Sequence, residues 1–500
     1  MPLSGLACNI AICKRLAQQH TANNKLKKLN LLNAHINRIL ILLSLSLTAG
    51  GCGFQSYIAK PIKPNEVIQQ LEAQSPESAQ FQEYLIAQNY PQNQFPIKEW
   101  GLTELTYSAL FFHPDLNVAR AQWRAAQSSE ITATQRPEIG VNAGAQKHSK
   151  ADGVSPWTYS LGIDVPIVTA GKTEAKIAQA RNLSEAARIE IAQTAWQVRA
   201  RLAKSLLDYQ FATQQSAVLS NEVKLRSAIV DMLQKRVDMG MASNTELSTA
   251  RIALQKAEQA LNAEQGRIPS LQANLASNAG LPLTSFKQLV IKNTANKASP
   301  VQTDLLQYEA LLNRLDIRAA LARFDAAEAK LRLEILKQYP DLTLSPSRVF
   351  DQGDQIWSLG FSSLLSLVNK NRGLIAEATA QREVQIAQFE ALQAKVIGDL
   401  NQTKADYLAT LESQEKASAV LLSQQKRTQR AQQQFEAGFS DKLALVSAEL
   451  ENLTAEQNVL QSGYKVEMAK LALEDTIQRP LDDFNMPQNP ESVASGTRNE

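Results

Sequence analysis

The chain has 500 residues, 44% of them hydrophobic and 20% charged, with a formal net charge of +3 and three cysteines. Six of the cations (Lys14, Arg15, Lys25, Lys27, Lys28, Arg38) lie in the first 52 residues, which hold no Asp or Glu, so the remainder carries a net −3 and offers no basic face for nucleic acid. Beyond that leader only His113, His148 and Cys52 remain as soft ligands, which argues against a His or Cys metal site within one subunit. No G-x-x-x-x-G-K-[ST] loop occurs and the carboxylates are scattered over helix faces, so neither a catalytic constellation nor a cofactor is expected.

The leader is basic up to Arg38 and then apolar over residues 39–51, a run too short to span a bilayer but suited to a secretory signal. Residues 1–51 are read as a signal peptide, and export is expected. The stretch closes in LTAGGC, where Cys52 resembles the lipid-bearing cysteine of bacterial lipoproteins; the resemblance implies lipidation at Cys52. Ala49 stands three residues before it, where lipoproteins carry a large aliphatic residue, so ordinary cleavage after a small residue is the alternative. Cys8 and Cys13 lie in the leader, so no intramolecular disulfide is open to the exported chain.

After an N-terminal segment, 52–100, the chain repeats itself. Asp115 answers to Asp316, Pro137 to Pro340, Trp157 to Trp357, Gly162 to Gly360 and Gly240 to Gly438, at offsets of 201, 203, 200, 198 and 198. Five landmarks of different chemistry at nearly one offset indicate a duplicated unit. The repeats are placed at 101–285 and 303–480, joined by a polar linker at 286–302 and followed by a tail, 481–500, read as disordered. Each reads as helix, β-hairpin, very long helix, tight turn and helix.

In the first repeat, residues 137–146 and 157–165 alternate apolar and polar residues, which predicts two strands of a hairpin. The second repeat offers 340–350 and 357–365, with Pro346 weakening the third strand because it cannot donate to a ladder. Trp157 and Trp357, at strand starts, fit an interfacial aromatic belt better than a core.

From Lys172 to Val237 there are 66 residues without Gly or Pro, enough for a helix of about 100 Å at 1.5 Å per residue. Its apolar and small residues, from Ile177, Ala180 and Ser184 to Leu202, Leu206 and Tyr209, are spaced by three and four and mark a coiled-coil-like seam. The second copy runs from Leu374 to Ala437, broken only by Gly398. A returning helix from Ser243 to Ala279, kinked by Gly266 and Pro269, is expected to stack end to end with the next repeat's first helix, about 303–338, beside one long column.

Gly240 and Gly438 supply the positive φ of two tight turns at the far tips. Ser243 and Glu246 have the spacing of a capping box that starts the returning helix, while Ser440 or Asp441 can cap in the second turn.

Four strands of this length can cross an outer membrane but cannot close a barrel, and unpaired edges in hydrocarbon are prohibitively costly. Several chains must therefore share one barrel. Two would give eight strands and three would give twelve, of which only the wider ring leaves an appreciable lumen.

The duplicated unit, the HPDLNVARAQW start at 113–123, the SLGIDVPIVTAGK passage at 160–172 and the tip glycines together resemble the TolC-type outer-membrane efflux factors. That resemblance covers about 101–480. It implies a mostly α fold with a small β part: a homotrimer whose twelve-stranded outer-membrane barrel continues into a periplasmic α-helical barrel. It further implies a periplasmic adaptor protein at the tips, an inner-membrane pump as the source of energy, and outer-membrane efflux as the activity. The sequence departs from the family at His113, where an Asn usually caps the helix, and at Ala444, where a tip carboxylate is common. Glu246 occupies the matching place in the first repeat, as helix cap or as gate. A type I secretion outlet for polypeptides shares the architecture, and a lipid-anchored periplasmic coiled-coil scaffold remains the reading without transport.

Overall fold

The computed structural model describes residues 55–91, 94–150, 155–292, 313–364 and 370–481. The signal peptide, Cys52, residues 293–302 of the linker and residues 482–500 of the tail lie outside the described residues, as do the first ten residues of the helix expected at 303–338. A first unit extends to Val67; in it, residues 55–63 have no regular secondary structure and helix α1 (Pro64–Glu72) begins. The second unit, Ile68–Glu500, contains everything that follows.

Its elements in chain order are α2 (Ala79–Ala87), α3 (Leu102–Phe112), α4 (Pro114–Thr134), β1 (Gly140–Lys147), β2 (Trp157–Ile167), α5 (Lys172–Asp238), α6 (Asn244–Asn278), α7 (Leu283–Phe286), α8 (Leu315–Leu336), β3 (Leu342–Asp351), β4 (Asp354–Ser363), α9 (Arg372–Glu436) and α10 (Lys442–Ile477). The repeat is therefore realised twice: α4, β1, β2, α5, α6, then α8, β3, β4, α9, α10.

The four strands form one antiparallel sheet in the order β1-β2-β3-β4. β4 starts three residues earlier than its alternation predicts, because the β3–β4 connection is only Gln352 and Gly353, both at positive φ. Pro346 does sit inside β3. It pairs with Leu359 on β4, but on the β2 side the ladder is interrupted between Gly162–Ser347 and Val165–Leu344, where the proline has no N–H to give. Side chains bridge the gap: Asp164 Oδ1 accepts from Ser345 Oγ at 2.6 Å and Oδ2 from Asn142 Nδ2 at 2.8 Å. Gly162 leaves the room, since a Cβ there would stand 2.3 Å from Asn142 Oδ1.

α5 is packed on two sides. One face, with Ile191, Ala195, Val198, Leu202 and Leu206, closes a core with α3, α4 and the end of α6. The opposite face meets α8 and α10: Trp196 Nε1 donates to Asp475 at 2.9 Å, the buried Arg199 meets the buried Glu474 at 3.3 Å, and Tyr464 OH donates to Asp208 at 2.6 Å. The single seam of the sequence captured the first face and missed the second.

The column arrangement holds, but its partners differ from expectation. The end of α6 abuts the start of α4 within the same repeat: Ser108 Oγ donates to Ala279 O at 3.0 Å, and Gly280 lies against the backbone of Phe112 and His113. In the second repeat, Leu315 N donates to Gln478 Oε1 and Arg314 to Thr476 O, so α10 abuts α8. Length explains it. α6, at about 52 Å, climbs roughly half of α5 and arrives where its own repeat's first helix begins, with the C-terminal dipole of one facing the N-terminus of the next. α6 also stays helical through Gly266 and Pro269, both exposed, so the bond that proline cannot make is open to water.

Around this junction lies an aromatic cluster that periodicity did not reveal. Phe81, Trp100 and Phe112 are buried together, with ring centroids 6.4 Å (Phe81–Trp100) and 5.4 Å (Phe81–Phe112) apart, and Trp100 N donates to Val290 O at 2.8 Å. His113 itself caps α4, accepting from Asp115 N at 3.2 Å through Nδ1. Burial holds the imidazole below its usual value, which keeps that nitrogen free to accept.

Gly280 is where this junction is most constrained. Its φ is +71° and a Cβ would lie 2.8 Å from His113 N, so Gly280→Ala is expected to cost roughly 1–3 kcal/mol, read as a lowered Tm. Gly266→Ala, in open space within a helix, should be neutral or slightly stabilising.

Candidate functional site

Strand register sorts the sheet into two unlike faces, because residues paired across antiparallel strands point the same way. One face collects Val141, Ala143 and Ala145 of β1, every odd position of β2 from Trp157 to Ile167, Leu342, Leu344, Pro346 and Phe350 of β3, and Trp357, Leu359 and Phe361 of β4. Most large side chains of this face are exposed, Phe361 at 81% and Leu359 at 69%, while Val165, Leu344 and Phe350 are half-buried. The other face carries Asn142, Gln146, Thr158, Ser160, Asp164, Ser345, Ser347, Ser358 and Ser362 with Gly140, Gly144, Gly162 and Gly360, and only Pro166, Val349 and Ile356 as large apolar residues of the strands. A soluble domain buries such an apolar face; here no described element covers it.

Trp157 and Trp357 both lie on the apolar face, each opposite a cation. Lys147 pairs with Trp157, its Nζ 5.8 Å from the ring centroid, and Arg348 pairs with Trp357, its guanidinium at 4.9 Å. The two tryptophans are not level. Arg348, opposite Trp357, faces Leu161 on β2, four residues from Trp157. Such a stagger is what strands tilted in a barrel require.

At the opposite end of the long helices are the two turns. Gly240 (φ +72°) and Gly438 (φ +75°) follow α5 and α9, and in each turn the next residue's N–H reaches back, Met241 to Arg236 O at 2.7 Å and Phe439 to Gln434 O at 2.8 Å. Ser243 Oγ accepts from Glu246 N at 3.1 Å while Glu246 Oε2 accepts from Ser243 N at 3.3 Å. In the second turn Asp441 is the cap, accepting from Ala444 N at 2.8 Å, and Ser440 is not. Asp441 also pairs with Arg236 in the last turn of α5, a contact between the two tips that no spacing in the sequence signals. Met239, Met241 and Phe439 project into solvent beside them. Among the described residues no helix is long and apolar enough to cross a membrane, and no cluster of His, Cys, Asp and Glu could hold a metal.

The profile of the family described as outer membrane efflux protein matches residues 105–281 and 306–477, most of the chain and both repeats. The chain belongs to the outer membrane efflux protein family. Among individual relatives, the cobalt-zinc-cadmium resistance protein CzcC of Cupriavidus metallidurans is 25% identical over 244 residues, 48% of this chain. That alignment spans 57% of the length of CzcC. The fold of this family member also matches solved structures: the outer membrane protein VceC of Vibrio cholerae (TM-score 0.63, 20% identity, 76% of this chain and 97% of that one) and the CmeC outer membrane channel of Campylobacter jejuni (TM-score 0.63, 13% identity, 89% and 99%).

Proposed function

We propose that this chain is one third of a homotrimeric channel that crosses the outer membrane and extends into the periplasm, serving as the passive exit of a tripartite efflux system. The observation that carries the reading is incompleteness on one side. α5 has sixteen buried residues and lies between two helix stacks, whereas its counterpart α9 has four and is packed chiefly by α8 and α10 alone. The sheet has the same defect, since β1 and β4 each leave an edge unpaired among the described residues. A neighbouring copy laying α4 and α6 on α9, and β1 beside β4, repairs both at once.

Three copies turn four strands into twelve, with the apolar face to lipid, the tryptophans and their cations at an interface, and the face of Gly, Ser and Asn around a lumen. The tips would then meet a periplasmic adaptor, and energy would come from an inner-membrane pump, as the family resemblance implies. Lipid on Cys52 would add an anchor. The relation to a cobalt-zinc-cadmium resistance protein makes divalent metal cations one cargo class to test beside drugs and detergents.

Detergent-extracted protein is expected to run as a heat-modifiable trimer and to give single-channel conductance in planar bilayers; a water-soluble monomer without conductance would leave the periplasmic scaffold as the reading. Deleting the gene and measuring sensitivity to a panel of drugs, detergents and metals assigns the cargo, while a defect confined to polypeptide export would indicate a secretion outlet.

A further inference from the structure

The junction between sheet and long helices carries a polar lock in one half of the chain and its separated pieces in the other. Lys172, first residue of α5, is buried, and its Nζ donates to Asp341 Oδ1 at 2.7 Å and to Tyr339 O at 2.5 Å. Thr169 completes the lock, its N–H donating to Asp341 Oδ1 at 3.0 Å and its hydroxyl to Pro340 O at 2.6 Å. The lock ties the chain leaving β2 to the chain entering β3, two adjacent strands.

The repeat supplies the same parts again. Arg372 is the first residue of α9 and follows Lys370 and Asn371, both at positive φ, as Lys172 follows Ala170 and Gly171. Pro137-Glu138 precedes β1 as Pro340-Asp341 precedes β3. Basic is replaced by basic and acidic by acidic. Yet Arg372 lies beyond β4 and Glu138 before β1, at the two outer edges of the sheet, and both are exposed, with no ion pair or side-chain hydrogen bond to either among the described residues.

We propose that Arg372 of one copy and Glu138 of the next form the between-copy counterpart of the Lys172–Asp341 lock. The inference rests on the ring reading above and specifies its seam: the copies join β4 to β1 at the end nearest the helices, fastened by this pair. Charge complementarity and the intact example within the chain select a second copy of this chain as the occupant. In a three-membered ring the junction then carries six locks in alternation, three within copies and three between them.

The test uses the full-length protein in its membrane. Arg372→Glu and Glu138→Arg alone should each lower the fraction of detergent-resistant trimer, by about two- to fivefold for one exposed pair. Combining them should restore it. With Glu138→Cys and Arg372→Cys together, a short thiol-reactive crosslinker should give covalent dimers and trimers that neither single variant gives; Cys52 is common to all three. Trimers that form and conduct, but show neither crosslink nor rescue by the double swap, would overturn the pair and leave the ring standing. Absence of any trimer in the unaltered protein would instead remove the ring on which the pair depends.

Discussion

Ile163→Arg is expected to keep this protein out of the outer membrane, whereas Ser160→Lys, three residues away, is expected to leave insertion intact. Ile163 stands near the middle of β2 with Val141 on one side and Pro346 and Leu359 on the other, so its level of the apolar face is apolar on all four strands. An arginine at the midplane of a transmembrane barrel costs about 2–4 kcal/mol, and a trimer pays it three times. That total, roughly 6–12 kcal/mol, is comparable to the whole stability of a domain. Ser160 points to the other face, which the proposed trimer turns toward its lumen, where a lysine would stay in water. Membrane fractionation with heat-modifiability on gels reads both variants. Insertion of Ile163→Arg together with exclusion of Ser160→Lys would mean that the faces have been assigned to the wrong solvents, and a sheet that tolerates both changes is not in a membrane at all.

What the sequence disclosed and what it withheld follow from the range of the forces involved. The alternation of β2, the helix of 67 residues and the capping box at Ser243 and Glu246 are encoded within a few residues of themselves, and the pattern could be read directly. The repeat added long-range order, because two copies at one offset must fold alike. The second buried face of α5 escaped because its members, Trp196 and Arg199 among them, are polar or aromatic residues whose partners, Asp475 and Glu474, lie some 275 positions away. The pairing of α6 with α4 escaped for a different reason: equal lengths permitted either stack, and only the backbone contact at Gly280 decides between them. The aromatic cluster around Phe81 and Trp100 is built from three short segments with no period of their own. Its one hint was the crowding of aromatic residues between Phe81 and Phe112.

The tips are where a change of one charge should have the largest functional effect. Asp441 does two things, capping α10 through Ala444 N and pairing with Arg236 at the end of α5. Asp441→Asn keeps a capping oxygen and loses the charge, Arg236→Gln leaves the cap untouched, and Asp441→Ala loses both functions and about 1 kcal/mol of helix stability besides. All three are expected to raise conductance in bilayers and to admit solutes too large for the unaltered tip, and the double variant Arg236→Gln with Asp441→Asn should go no further than either single change, as for two partners of one interaction. Wild-type conductance on combining both changes would detach the pair from opening. The pH dependence has a definite sign. The Ala444 N–H first, and the Arg236 guanidinium second, hold the Asp441 carboxyl below its ordinary value, so the tie is complete above the usual carboxylate range near pH 4 and is lost as pH falls through the lowered value. Conductance should therefore be flat from neutral pH to about 5 and rise only in stronger acid. The positions that answer to Arg236 and Asp441 across the repeat are Gln434 and Ser243, both uncharged. In the proposed ring the charged tie would lie inside each copy, with the uncharged Gln434 and Ser243 at the matching positions between copies, so opening that parts copy from copy would leave every Arg236–Asp441 pair whole, while opening that unwinds the two hairpins of one copy must break it. Sensitivity of conductance to Arg236→Gln distinguishes the second motion from the first.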